Sequence, residues 1–261
     1  MSARLVIAAA VLATSLAAHA GRNCEAAAPS AQNVQSALEL AERTASALDA
    51  SGAQVVVLAR AGQNLAEWGL RWSHLGWAYR EGQGDAARWR VVHKLNQCGS
   101  ARGDLYRQGL GEFFMDDLVR FEAAYAVPTP AVQAALLPVL RSNARVDQLH
   151  EPAYSMVAYP WSQTYQQSNQ WAIETLAMAR EPAAGNRQRA QAWLQFQGYE
   201  PTTLRISPAK RLGARMTAAH IAFDDHPDVK RYSSRIETVT VDSVFTWLER
   251  SGLAGPVQVL R

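Results

Sequence analysis

Three β-strand patterns follow one another closely in the first half of the chain, and this cluster most constrains the fold. Apolar and β-branched residues predict strands at 54–59, 71–80 and 88–95, and the sequence Gly-Gln-Gly-Asp at 82–85 predicts a turn between the last two. Strands joined by so short a turn pair antiparallel, because a parallel connection needs a crossover of a dozen or more residues.

Helical patterns dominate the rest of the chain. The first predicted helix runs from position 34 to a stop near Ser51-Gly52. Further helices are predicted at 112–121, 131–141 (interrupted by Pro138), 169–180, 188–197 and 209–221. A strand at 235–241 precedes a final helix capped by Asp242. Clustered strands with helices around them indicate an α+β fold, in which an antiparallel sheet is flanked by helices. Without repeats or an obvious linker, residues 21–261 are expected to form a single domain.

Two histidines lie on the predicted hairpin. Alternation places His74 on a face with Gly76 and Ala78, which leave room beside the imidazole, and His93 on the apolar face of its strand. The midpoint between positions 74 and 93 falls inside the predicted turn. A simple hairpin therefore sets the two histidines opposite or nearly opposite, with their Cβ atoms about 5 Å apart. Two adjacent charged imidazoles are costly, so one would stay neutral as a base while the other orients it. The alternative is that His93 is a core residue and His74 a surface residue.

The hairpin resembles part of a known enzyme group. Residues 60–65 and 69–76, with the run Ser-His-Leu-Gly at 73–76, resemble the "SHxG" strand of permuted NlpC-type papain-like hydrolases, which include lecithin retinol acyltransferase. In that group a His on one strand is followed by a polar residue, often a second His, on the next, and much later by a Cys at a helix start. His74 and His93 match the first two positions.

The third position of that pattern matches residues 165–171. Ser168 stands where the group has its cysteine, and Trp171 is the aromatic residue three positions on. Residues 109–118 are also similar to the segment that leads from the hairpin into a helix. The resemblance covers about 54–180 and implies a permuted papain-like core, with 181–261 as a helical and strand extension.

Three interpretations of Ser168 stay open. It is a nucleophile served by His74, with its backbone N–H in an oxyanion site, because a serine hydroxyl needs a base to take its proton during attack. Alternatively it is a helix N-cap, a common role of serine, in a fold that binds a ligand without cleaving it. In the third interpretation the alignment is shifted and another group acts.

The first residues predict export. A positive start at 2–4, an apolar run at 5–16 and a small-x-small site at 18–20 indicate a signal peptide cleaved after Ala20. The run is too short to span a bilayer, and no later stretch is long and apolar enough to do so. The whole chain is similar to the exported bacterial proteins of DUF2145, a domain of unknown function. We therefore expect a periplasmic or secreted protein.

Cys24 and Cys98 are the only cysteines, and both survive this cleavage. In an oxidising compartment such a pair is more often a disulfide than a metal site, and closing so long a segment stabilises by about 4 kcal/mol. The alternative is that Cys98 is a free nucleophile. It follows a predicted strand rather than beginning a helix, so nothing there would lower its pKa.

Two further clusters contain residues that could bind a metal or a ligand. The polar residues His220, Asp224, Asp225 and His226 offer metal-ligand types, although their Pro-containing turn is more typical of a solvated loop, and no metal or other cofactor is predicted. Aromatic residues surround the predicted start of the Ser168 helix and are candidate binding residues at its rim: Tyr159, Trp161, Tyr165 and Trp171.

The charge balance excludes one class of function. The formal net charge is only +3 with no Lys/Arg block, which argues against a nucleic-acid-binding protein. The resemblance implies an amide or ester hydrolase or acyltransferase, with His74 as base, His93 orienting it and Ser168 as nucleophile, acting on cell-wall peptides or lipid acyl groups. The alternative is a noncatalytic binding or envelope-maintenance protein that has kept the groove.

Overall fold

The computed structural model describes residues 29–116 and 118–261. The predicted signal peptide and Cys24 lie outside these residues, so export and the Cys24–Cys98 disulfide stay predictions. The described part of the chain contains no free cysteine.

The central element is an antiparallel sheet of six strands. Its order is β4-β3-β2-β1-β5-β8, with the bounds β1 Val55–Ala61, β2 His74–Glu81, β3 Arg88–Asn96, β4 Gly103–Gly109, β5 Arg120–Ala126 and β8 Gln258–Leu260. A separate two-stranded antiparallel sheet pairs β6 (Thr202–Arg205) with β7 (Arg235–Thr238).

Helices connect and cover these strands. They are α1 Ala31–Ala50, α2 Leu110–Phe114, α3 Pro130–Leu140, α4 Asn143–Asp147, α5 Ser168–Arg180, α6 Arg187–Phe196, α7 Pro208–Thr217, α8 Asp228–Tyr232 and α9 Val241–Arg250. The predicted fold class is confirmed at this level, as an α+β protein with an antiparallel sheet flanked by helices. In the part of the chain that the structure describes, none of the helices has the length and apolar character needed to cross a bilayer.

Several predicted boundaries were wrong. The helix predicted at 112–121 is only the short α2, and the chain then enters β5, whose Ala-rich sequence has little intrinsic strand preference. Strand β4 was not predicted. Pro138 does not interrupt α3, which is continuous around it, and the last helix is capped by Thr240 instead of Asp242. Helix α7 ends at Thr217, before the predicted end at 221.

The centre of the sheet is buried on both faces, so β1 has no exposed residue. One face packs against α3, α5 and α9 through residues such as Val57, Leu75 and Trp77. The other face packs against α1 and α2 through residues such as Val56, Ala78 and Phe113. This double coverage explains why the first strand is a continuous apolar run instead of an alternating one.

Candidate functional site

A row of polar side chains crosses the sheet on its α1/α2 face. His74, the first residue of β2, contacts His93 of β3, with 2.8 Å between His74 Nε2 and His93 Nδ1. The predicted pairing register is wrong by two residues, because Trp77 pairs with Val92 and this places His93 opposite Gly76. The predicted shared face is right, and the two rings meet diagonally with their centroids 5.1 Å apart.

Gly76 makes this diagonal contact possible. A Cβ atom at Gly76 would lie 2.9 Å from His93 Cβ and 2.8 Å from Val91 Cγ1, which is closer than such atoms approach in proteins. Since any side chain at this position would push against His93, glycine lets the imidazole lie over the neighbouring strand and reach His74.

The hydrogen bonds define one tautomer for the pair. Gln108 Oε1, on β4, lies 2.8 Å from His93 Nε2. An amide oxygen only accepts hydrogen bonds, so His93 Nε2–H is the donor. His93 Nδ1 then accepts from His74 Nε2–H. The remaining nitrogen, His74 Nδ1, has a free lone pair and makes no hydrogen bond to any described residue. The two histidines are therefore hydrogen-bonded to each other and His93 is held by the unpredicted Gln108, while the orienting role of His93 stays a prediction.

The surroundings keep both imidazoles neutral. Burial lowers the pKa of His93 to about 3 and that of His74 well below its ordinary value of 6.5, and the charge of Arg60 lowers both pKa values further. Arg60 pairs directly across from His74, on β1. It donates to Phe113 O and Asp116, and its guanidinium lies 4.6 Å from the centre of the Phe113 ring, which also packs on both histidines.

Ser168 begins α5 but is not its N-cap. Gln167 has that role: its side chain accepts from Asn169 N and it forms a capping box with Gln170. Ser168 is the first helical residue, so its backbone N–H has no partner within the helix. Its Oγ lies 3.4 Å from the Tyr154 hydroxyl. The N-cap interpretation of Ser168 is therefore wrong, because the side chain before it caps the helix.

Asn169 fixes the start of α5 against the sheet. Its Oδ1 accepts from Leu75 N at 3.1 Å, and its Nδ2 donates to Val239 O at 3.2 Å. Because Leu75 directly follows His74, this one side chain ties the helix carrying Ser168 to the strand carrying His74.

A cavity of about 370 Å³ lies where β2 begins and β3 ends, and both His74 and Ser168 line it. The two residues make no hydrogen bond to each other among the described bonds. Alternation along β2 turns His74 toward α1 and α2, whereas Leu75 faces α5. The structure thus brings both predicted residues to the lining of one cavity, without a hydrogen bond between them.

The cavity has two chemically different walls. What we call the polar wall consists of residues from the sheet end, the segment before α5 and α5 itself: Arg60, Ser73, His74, Asn96, Asp116, Tyr154, Gln167, Ser168 and Asn169. The apolar wall comes mostly from the chain after α6 and from the segment around the short 3-10 turn at Ala66–Trp68: Trp68, Leu70, Val157, Leu204, Ile206, Ala214, Ile221 and Phe223.

A buried ionic network that was not predicted supports the segment before α5. Lys94, which follows His93, donates to Glu151 O at 2.6 Å and to Gln166 O at 2.8 Å, and burial lowers its pKa to about 7. Fully buried Glu174 accepts from Arg187 Nε at 2.9 Å and from Gln166 Nε2 at 2.6 Å. The local sign of this network is a lysine beside a histidine inside an apolar strand, but the partners of the lysine are distant in sequence.

The four predicted aromatic binding residues do not line the cavity. Trp171 is fully buried and donates to Val146 O at 3.1 Å, so it is a core residue instead of a rim residue. Trp161 packs on Tyr199, and Tyr159 on His226, while the Tyr165 hydroxyl donates to Asp224. The aromatic rim of the cavity is supplied by Trp68 and Trp72 instead.

The His/Asp cluster is occupied by protein contacts. Asp225 accepts from Tyr159 N at 2.7 Å and lies 2.9 Å from His226 Nδ1, while His226 Nε2 donates to Glu237 O. His220 instead lines the cavity. Within the described ranges, no group of three or more potential ligands is arranged to hold a metal ion.

Comparison with other proteins identifies a family but no solved relative. No curated protein and no solved structure matches the chain. The resemblance to papain-like hydrolases therefore stays a prediction. A family model described as "Uncharacterized protein conserved in bacteria (DUF2145)" matches residues 47–248, which include the whole polar wall. The chain belongs to the DUF2145 family.

Proposed function

We propose that this protein is a hydrolase or acyltransferase that acts on amide or ester bonds of cell-envelope material. His74 is the general base, His93 positions it, and Ser168 is the nucleophile. The observation that carries the proposal is the hydrogen-bonded chain from Gln108 through His93 to His74, because it leaves one ring nitrogen of His74 unprotonated, and both His74 and the helix-terminal Ser168 line the cavity. The resemblance to permuted papain-like hydrolases supports the same order of residues.

In the proposed reaction, Ser168 Oγ attacks the carbonyl carbon of the substrate while His74 Nδ1 takes the hydroxyl proton. The tetrahedral intermediate collapses, the bond to the leaving group breaks, and the leaving group departs with that proton. Water or a second acceptor then attacks the acyl-serine, and His74 again takes and returns the proton. In this reaction the oxyanion is stabilised by the N–H of Ser168, the first residue of α5.

The burial of the histidines has two opposing effects. It keeps His74 neutral and ready to accept a proton at physiological pH, because the lowered pKa leaves no imidazolium there. It also weakens His74 as a base, since the imidazolium formed during reaction is costly in this environment. We therefore expect a slow hydrolase, with a rate that does not fall until the pH is well below 6.5.

The apolar wall favours one part of the substrate range. Apolar side chains on one side of the cavity and polar groups on the other fit a molecule whose scissile carbonyl carries an apolar chain. Among the two predicted substrate classes, this arrangement supports lipid acyl groups over strongly polar cell-wall peptides.

One observation favours the alternative of a noncatalytic binding protein. The only side-chain partner of Ser168 among the described residues is Tyr154, and the hydroxyl makes no hydrogen bond to His74. In this alternative the same two walls hold an amphipathic ligand, and the buried polar row gives specificity without bond cleavage.

A fluorophosphonate probe separates the two functions. We expect labelling of the wild type, loss of labelling in Ser168→Ala, and a decrease of roughly 100-fold or more in His74→Gln. Ser73→Ala is the matched control, because Ser73 lines the same cavity but its Oγ accepts from Gly62 N at 2.8 Å. Equal labelling of wild type and Ser168→Ala would exclude Ser168, and no labelling of any form would favour the binding function.

A further inference from the structure

Helix α7 (Pro208–Thr217) turns its apolar side away from the protein. Leu212 and Met216 are 62 % and 64 % exposed, and no residue of the helix is buried. With Ala209 and Gly213 they occupy positions i, i+3, i+4 and i+7, which lie on one side of a helix. We call these four residues the outer stripe. A surface helix of a globular protein normally points such a stripe toward the core.

Basic residues flank the outer stripe. Lys210 lies on one side of the helix and Arg215 on the other, and residues 201–223 contain four basic residues and no acidic residue. The inner side contacts the protein through Arg211, which donates to Ile206 O at 3.0 Å, and through Ala214. An apolar stripe with lysine and arginine on its flanks is the pattern of helices that lie in the interface of a membrane.

Helix α7 also borders the cavity. Lys210, on one flank of the stripe, and Ala214, on the inner side of α7, line the cavity. Lys210 also forms an exposed ion pair of 2.7 Å with Glu67 and lies over the Trp68 ring, so α7 borders the cavity opposite the Ala66–Trp68 turn. A surface that receives the outer stripe would therefore adjoin the side of the cavity that accommodates apolar groups.

A second exposed apolar pair emerges from the same end of the small sheet. Arg205 of β6 pairs with Arg235 of β7, so α7 begins and α8 ends at this end. Val229 and Tyr232 of α8 are 83 % and 71 % exposed.

We propose that the outer stripe of α7 docks on the surface of an anionic phospholipid bilayer. The apolar side chains enter the headgroup boundary while Arg215 approaches lipid phosphates on one flank, and Lys210, paired with Glu67, lies on the other. A second copy of the chain is disfavoured as the occupant, since pairing two stripes would bring like charges together, and one ten-residue helix offers far less than the roughly 800 Å² per partner of a stable dimer. Docking requires neither His74 nor Ser168 to be reactive.

Sedimentation with vesicles tests the docking. The full chain is mixed with vesicles of phosphatidylethanolamine and phosphatidylglycerol, or of phosphatidylcholine alone. We expect stronger binding to the anionic vesicles, weakened by added salt. The double variant Leu212→Glu/Met216→Glu is expected to reduce the partition coefficient by about 100-fold, or about tenfold for each apolar side chain. Phe196→Glu is the matched control, because Phe196 of α6 is 85 % exposed and lies outside the stripe.

Hydrogen exchange locates the contact independently of any other membrane-binding segment. Anionic vesicles are expected to slow exchange in peptides that cover residues 208–217 of the wild type, and not in those of the double variant. Binding without protection of these residues would overturn the proposal, as would equal partitioning of the wild type and the double variant. Protection of 208–217 that depends on protein concentration and not on vesicles would identify a second copy as the occupant and would also overturn it.

Discussion

The polar wall of the cavity differs from the apolar wall in how it is attached to the rest of the molecule. Side chains of the polar wall are held by partners on other elements, as Asn169 is by Leu75 and Val239. The apolar wall is carried by loops around the β6–β7 sheet, by Leu204 of β6 and by Ala214 of α7, a helix without a buried residue. The polar groups that could take part in catalysis are therefore fixed in position. The apolar wall, whose helix α7 has no buried residue, is expected to open with a smaller free-energy cost.

The largest expected difference between the walls comes from removing one ion pair on each side. Glu174→Ala leaves Arg187 buried without its carboxylate, and we expect a loss of about 3–5 kcal/mol in the free energy of unfolding. Lys210→Ala breaks the exposed pair with Glu67 on the apolar side, where the expected loss is below about 1 kcal/mol. Urea denaturation of both variants measures this. Similar losses would contradict the difference in attachment.

Replacing one glycine on each side by alanine is expected to change the stability less, and in opposite directions. Gly76→Ala places a Cβ against His93 and Val91, so we expect about 1–3 kcal/mol of destabilisation and a longer His74–His93 contact. Gly213→Ala meets no atom within 4 Å on α7 and should stabilise by about 0.5–1 kcal/mol through helix preference. Thermal unfolding compares the two. A neutral Gly76→Ala would show that the strands have room for the extra carbon.

The third contrast concerns pH: within one pH unit it is the smallest effect, and it arises at His93, which supports His74 of the polar wall. Unfolded histidines bind a proton below about pH 6.5, whereas folded His93 binds one only near pH 3. The unfolded chain thus holds more protons within this window, and stability is lost as the pH falls through it. His93→Gln should lower the slope of unfolding free energy against pH by about 1.4 kcal/mol per pH unit. His150→Gln, outside the pair, should not remove this contribution, and an unchanged slope in His93→Gln would refute the assignment.

The hairpin shows which features could be predicted from the sequence. Alternation together with the position of the turn placed His74 and His93 on one face, and an error of two residues in the register keeps that face. Their register was wrong because the loop is not a two-residue turn. The last strand pair is Glu81 with Arg88, and a 3-10 turn at Gly84–Ala86 lengthens the connection. Gly82 and Gly84 both have positive φ values, which the glycine-rich sequence permits but does not specify.

The site residues that were missed share a physical cause. Gln108 lies on β4, whose polar sequence gives no strand signal until it pairs with β3. Arg60 ends an apolar strand and was considered only as part of a resemblance, while Lys94 and Glu174 find their partners far along the chain. Burial of charged groups depends on such distant partners, so local patterns cannot reveal it.

The sequence by itself determined the elements whose signals are local: the hairpin and its common histidine face, the helix after position 168, and the α+β class. Tertiary structure alone decided that Gln108 completes the histidine chain, that Gln167 and not Ser168 caps α5, and that His74 and Ser168 line one cavity without a hydrogen bond between them. It also decided that the apolar side of α7 faces outward. The reason is that periodicity shows that a helix or strand has an apolar side, whereas the packing of distant segments decides what that side contacts.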